Sequence, residues 1–184
     1  YVYDLLILAL PLDILYENGL LEKEDLESAK EESPYLCEFE RLKKERLPLL
    51  KKAAERFKDW DKVNGFLKDN PHTEKFCFFM ALKEANENKH WTDWETDSFN
   101  ESTLKAWQFI QYTAYTQWLN VKTYANSKNI KIIGDIPIYV SDDSSDVWSN
   151  PENFLLDKNG RPRSVAGVPP DYFCADGQLW GNPL

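Results

Sequence analysis

The sequence predicts an α/β chain, helical over most of its first 129 residues and loop-rich after them. Three observations carry this. Apolar residues recur at helical spacing in several long stretches. A short connection, 126–129, joins the longest of these to an apolar run, Ile130, Ile132 and Ile133, that stops at Gly134-Asp135. Composition then shifts, because residues 130–184 hold five of the seven glycines and six of the ten prolines. A helix, a tight turn and a strand tipped by a carboxylate make half of a βα repeat. Open α/β sheets and closed barrels put their chemistry at that tip.

The elements follow in order. Residues 12–20 end at the stop signal Glu17-Asn18-Gly19, and 20–26 read as the acidic first turn of a helix. From 35 to 60, Leu36, Phe39, Leu42, Leu50, Ala53, Ala54 and Phe57 keep a helical period that Pro48 should kink or restart. Asp69-Asn70-Pro71 is a turn. Residues 73–86 form a further helix, with Phe76, Phe79, Met80 and Leu82 around one side. Residues 86–96 are polar and carry Trp91 and Trp94. From 102 to 127, apolar residues cover so much of the circumference that the helix should be buried on several sides. Residues 154–157 and 163–165 flank Lys158-Asn159-Gly160, a hairpin signal.

Charge and composition exclude several classes. The 22 basic and 31 acidic residues give −9, with no basic stripe of the kind nucleic-acid binding needs. Cys37, Cys77 and Cys174 fit neither a disulfide framework nor a metal site, and read as thiols of a reducing, cytoplasmic compartment. His72 and His90 match no zinc spacing and read as loop histidines. The apolar run 5–15 is short, is interrupted by Asp13, and lacks the flanks of a signal peptide or membrane span. With no initiator Met, the chain reads as an excised piece of a larger one.

Two loci could carry chemistry. Asp135 sits at a strand tip, where it either caps the next turn or faces a substrate. Asp142, Asp143 and Asp146 suggest a cation site, but they lack the calcium-loop pattern, and Ser144-Ser145-Asp146 reads better as a helix N-cap. The second locus is Gly167-Val168-Pro169-Pro170-Asp171-Tyr172-Phe173. Its two prolines lower the entropy lost on ordering, so the loop holds two rings and a carboxylate at low cost. Rings suit the C–H faces of sugars and carboxylates suit their hydroxyls. A packed surface loop is the plainer alternative. Gln178-Leu179-Trp180 adds a further ring.

Four segments resemble the 4-α-glucanotransferase (amylomaltase, disproportionating enzyme) family: Gly134-Asp135-Ile136-Pro137-Ile138-Tyr139-Val140; Asp143-Ser144-Ser145-Asp146-Val147-Trp148-Ser149-Asn150-Pro151; Val165-Ala166-Gly167-Val168-Pro169-Pro170-Asp171-Tyr172-Phe173; and Gly177-Gln178-Leu179-Trp180-Gly181-Asn182-Pro183-Leu184. The resemblance is dense over 130–184 and looser over 12–129. It implies part of a (β/α)8 TIM barrel of the α-amylase superfamily. Residues 1–100 would be a mostly helical inserted subdomain, and 101–184 a barrel helix, a barrel strand and a long acceptor-site loop. It also implies retaining transfer of α-1,4-glucan segments, which requires a nucleophile and an acid/base about 5 Å apart.

In the family both of those groups lie on later strands, so no catalytic residue is expected within these residues. The resemblance gives substrate-binding roles to Asp135, beside the cleaved glucose, to Asp171, Tyr172 and Phe173 in a mobile acceptor loop, and to Trp180 lining the site. Cys174 stands where a small Ser is common, so no role carries over to it. The expected partners are maltooligosaccharides or other α-1,4-glucans, with no nucleic acid, membrane, metal or cofactor. A glucan-hydrolysing relative is the nearest variant. A non-catalytic glucan-binding module is the alternative from another class, and a helical interaction protein is a third.

Overall fold

The computed structural model describes residues 10–30, 35 and 38–184, apart from the side chains of Glu40 and Lys43. The expected helix start at Leu36, Cys37 and residues 5–9 of the apolar run 5–15 lie outside these residues. Two compact units result, one from residues 1–77 with 100–132, the other from 78–99 with 133–184. No helix among the described residues is long and apolar enough to cross a membrane.

The first unit is helical. Its elements are α1 (Leu12–Glu17), α2 (Lys23–Ser28), α3 (Phe39–Arg56), α4 (Trp60–Asp69), the first half of α5 (Pro71–Ala85) and α6 (Glu101–Ser127). Gly19 takes the left-handed φ of +70° that closes α1, as the stop signal predicts. Asp25 of α2 accepts from the Glu22 backbone N–H and pairs with Lys52 at 2.7 Å. The Lys52 ammonium, and then the Glu22 N–H, hold this carboxyl below its ordinary range. Helix α3 runs through Pro48 without the expected restart. A proline there costs about 3 kcal/mol, and burial of Leu42, Leu50, Ala53 and Ala54 on both sides offsets it.

The core forms where α3 and α4 meet α6. Leu104, Trp107, Ile110 and Ala114 follow the helical period of α6, and Ala106, Phe109 and Thr113 are buried beside them. The expectation of burial on several sides therefore holds in part, from Leu104 to Gln117, whereas Tyr115, Trp118, Leu119, Val121 and Tyr124 are exposed. Phe57 and Phe66 reach α6 through rings on Phe109 (5.0 Å), Tyr112 and Tyr115 (5.0 Å).

Cys77 is fully buried in α5, and desolvation pushes its thiol up to about 12 from an ordinary 9.0. Since only the thiolate reacts, alkylation of native Cys77 at pH 8 should be at least about 1000-fold slower than for an ordinary thiol. Half-exposed Cys174 should react before Cys77. Mass mapping after iodoacetamide checks this, and prompt native labelling of Cys77 would contradict it. Burial of the neutral thiol contributes stability that is complete below pH 9.0 and declines as pH rises from there toward 12.

The second unit contains the rest of α5, a 3₁₀ turn at Trp91–Asp93, the short α7 (Ser145–Ser149) and a 3₁₀ turn at Pro151–Asn153. A two-stranded antiparallel ribbon, β1 (Val165–Val168) with β2 (Gln178–Pro183), completes it. Ser144 caps α7 by accepting from the Val147 N–H at 3.3 Å, as the sequence predicts. Phe79, Trp94 and Trp148 form its aromatic centre, with ring centroids 5.4–5.9 Å apart.

The expected strand at Ile130–Ile133 is not formed. That segment has no ladder partner among the described residues, and Ile133 is 94% exposed. Apolar, β-branched residues supply the propensity for a strand, but a strand also needs a neighbour to take its N–H and C=O groups. The ribbon β1–β2, antiparallel and in the loop region, is the strand pairing actually present among these residues.

Candidate functional site

The ribbon positions the aromatic loop. Val165 pairs with Pro183, Gly167 with Leu179 and Val168 with Gln178, with a bulge between Val165 and Gly167 that turns Ala166 into the interior. The stem admits only glycine at two places. A Cβ on Gly167 would lie 2.6 Å from the Gln178 carbonyl oxygen. Gly177 has φ +72°, and a Cβ there would lie 2.5 Å from the Val168 carbonyl oxygen. Gly177→Ala should therefore destabilise by about 1–3 kcal/mol through left-handed strain and this clash. Urea denaturation checks it, and an unchanged midpoint would contradict it.

Between the strands the chain folds onto Asp171. One Asp171 carboxylate oxygen accepts from the N–H groups of Phe173 (2.9 Å) and Cys174 (2.8 Å). The Asp171 N–H donates to the Cys174 carbonyl at 3.0 Å. The Cys174 thiol donates to the Gly177 carbonyl at 2.9 Å. This turn leaves Tyr172 and Phe173 at the tip, 95% and 89% exposed, edge to face at 5.5 Å. Two large rings held out to water by their own loop are what a ligand-contacting surface requires and a packed loop does not.

Trp180 lies on β2, half exposed, with its indole N–H donating to the Gln178 side chain at 2.9 Å. Its ring meets Tyr139 at 5.8 Å. The Asn182 amide donates to the Val140 carbonyl at 2.7 Å, tying β2 to the segment after Asp135. Asp135 itself is exposed and accepts from the neighbouring Ile136 N–H at 2.8 Å. The fold thus joins Asp171, Tyr172 and Phe173 in one turn and pairs Trp180 with Tyr139, while Asp135 stands on the segment leading to Tyr139. Sequence reasoning quoted Tyr139 but missed its pairing. An aromatic four residues after the candidate carboxylate was the available signal.

The polar residues 86–96 and 142–143 also change meaning. His72 lies in the first turn of α5, and His90 is half-buried and caps the 3₁₀ turn, so neither is a simple loop histidine. Asp142 faces His90 and Asp143 faces Lys83. No cluster of three metal-binding side chains occurs among the described residues. On the hairpin at Lys158-Asn159-Gly160, Asp157 is held below its ordinary range by the N–H groups of Arg161 and Asn159.

Comparison with solved structures gives the class. The amylomaltase from Streptococcus agalactiae in complex with acarbose superposes with a TM-score of 0.87 at 36% identity, over 97% of this chain and 40% of that one. In fold, this chain is therefore similar to two fifths of an amylomaltase. A family model described as 4-alpha-glucanotransferase matches residues 3–184, and the chain belongs to that family. The 4-alpha-glucanotransferase of Clostridium butyricum is 42% identical over 191 residues, covering 94% of this chain and 39% of the relative. That of Streptococcus pneumoniae is 41% identical over 195 residues, covering 94% and 38%. The chain thus spans less than two fifths of the length of these relatives.

Proposed function

We propose that this chain is the part of a 4-alpha-glucanotransferase that holds glucan at the acceptor side. The observation that carries the reading is the turn built on Asp171, which presents Tyr172 and Phe173 to solvent on a glycine-locked ribbon. Family membership and a structural relative bound to acarbose, a glucan-like ligand, support it. The whole protein transfers α-1,4-glucan segments by a retaining double displacement, with maltooligosaccharides as donors and acceptors. Asp135, Asp171, Tyr172, Phe173 and Trp180 bind substrate. The nucleophile and acid/base lie outside residues 1–184. Transfer through a covalent sugar needs carboxylates alone, so no cofactor takes part.

In this reading the parent fold is a (β/α)8 barrel of the α-amylase superfamily. Residues 1–100 are its inserted helical part, and 101–184 contribute a barrel helix, strand and loop. That division is by role in the parent fold, not by contact. The protein works in the cytoplasm, apart from nucleic acid and membranes. Incubating the full-length gene product with maltotriose and separating the products tests the proposal. Glucose together with maltooligosaccharides longer than the substrate supports it. Shorter sugars alone would make the protein a hydrolase. Saturable binding with no products would make it a glucan-binding module.

A further inference from the structure

The loop 86–96 is closed on itself by one side chain. Asn86 is 5% exposed, and its amide donates to the carbonyls of Leu82 and Thr96 at 2.9 Å each. Its oxygen accepts from the N–H groups of Glu95 (2.7 Å) and Thr96 (3.1 Å). A buried amide with all these bonds made fixes the loop as a rigid body. It must do so, because Glu87 and Asn88 both take left-handed φ, of 56° and 59°.

That rigid loop grips two other segments. Toward 142–143, Lys83 pairs with Asp143, and the Trp91 N–H donates to the same carboxylate at 3.3 Å. The Trp91 indole donates to the Asp142 carbonyl at 3.0 Å. His90 Nδ1 accepts from the Thr92 N–H at 3.2 Å, so Nε2 carries the proton and donates to the Asp142 carboxylate at 3.0 Å. Toward the hairpin, Arg161 meets Asp93 with one nitrogen on both oxygens at 2.7 and 2.9 Å, and Gly160 closes on the Trp91 ring. Arg161 precedes β1 by four residues, and Asp142 follows Tyr139 by three.

We infer that Lys83 and His90 are positioning residues of the glucan site, clamping Asp142–Asp143 and so holding Tyr139 against Trp180. The inference rests on the glucan-transfer reading. Trp91 adds its two bonds to Asp142 and Asp143, and the Asn182–Val140 bond ties the same segment to β2. The clamp sets that segment and the ribbon on one frame, which is what a site needs when small displacements cost large factors in rate.

The test uses the full-length protein with four substitutions. His90→Asn keeps an acceptor near Nδ1 and loses the bond to Asp142. His90→Gln keeps a donor near Nε2 and loses the cap. Lys83→Met removes the ammonium, and Lys89→Ala removes only the exposed pair with Glu95 as a control. We expect His90→Asn and Lys83→Met to raise KM for maltotriose about tenfold while kcat changes by less than about threefold. Amide exchange at 139–143 should quicken, and His90→Gln and Lys89→Ala should match wild type. Unchanged KM in His90→Asn and Lys83→Met, or equal loss in all four variants, would overturn the inference. A wild-type protein without transfer would overturn the glucan-transfer reading instead. Exchange at 139–143 would then still decide the clamp, by quickening or not in His90→Asn.

Discussion

Asp135→Asn in the full-length protein is expected to lower transfer activity on the order of 100-fold while leaving the melting temperature within a degree or two. The stability half follows from the environment. Asp135 is exposed, and its carboxylate accepts from the adjacent Ile136 N–H, a bond that an amide oxygen can keep. Substitutions away from packed features change stability by about 0.5 kcal/mol or less. The activity half follows from charge. A hydrogen bond from a sugar hydroxyl to a carboxylate is worth about 1.5–3 kcal/mol, which corresponds to roughly 10- to 150-fold in rate or affinity. Kinetics on maltotriose together with a thermal melt check both halves. Wild-type rates would refute the placement of Asp135, and a collapsed melt would make it a folding residue.

Tyr172→Ala is expected to raise KM for the acceptor about tenfold with unchanged stability. The ring is 95% exposed and touches Phe173 edge to face, so its removal opens no cavity. The loop keeps its shape because its bonds run through Asp171, Cys174 and Gly177. Covering such a ring with a sugar face contributes about 1.5 kcal/mol, near the low end for an aromatic side chain. Glucose titrated as acceptor at fixed maltotriose reads the effect. A destabilised variant with normal acceptor use would show that the ring packs instead of binding.

What the sequence made legible divides by range. Most helices were readable because each depends on residues three or four positions apart, and so were the local signals at Gly19, Asn70-Pro71 and Ser144, whereas α4 was not read as a separate helix. The restart expected at Pro48 does not occur, because the cost of a proline is local while the burial that offsets it is tertiary. The strand at Ile130–Ile133 was misread for the converse reason, since composition gives strand propensity but cannot supply a partner. The aromatic loop was legible as a rigid presentation of rings, and the turn on Asp171 is its physical basis. His90 was not legible, because its partner lies 52 positions away and no periodicity links them. The pairing of Tyr139 with Trp180 was hidden in the same way.

The central claim is that residues 1–184 hold glucan and leave the covalent chemistry to carboxylates elsewhere. The direct measurement is the maltotriose assay run side by side on residues 1–184 and on the full-length gene product, with products separated and quantified. The account predicts glucose and longer maltooligosaccharides from the full-length protein and none from residues 1–184. The same products from residues 1–184 would contradict it and place the catalytic pair among the residues described here.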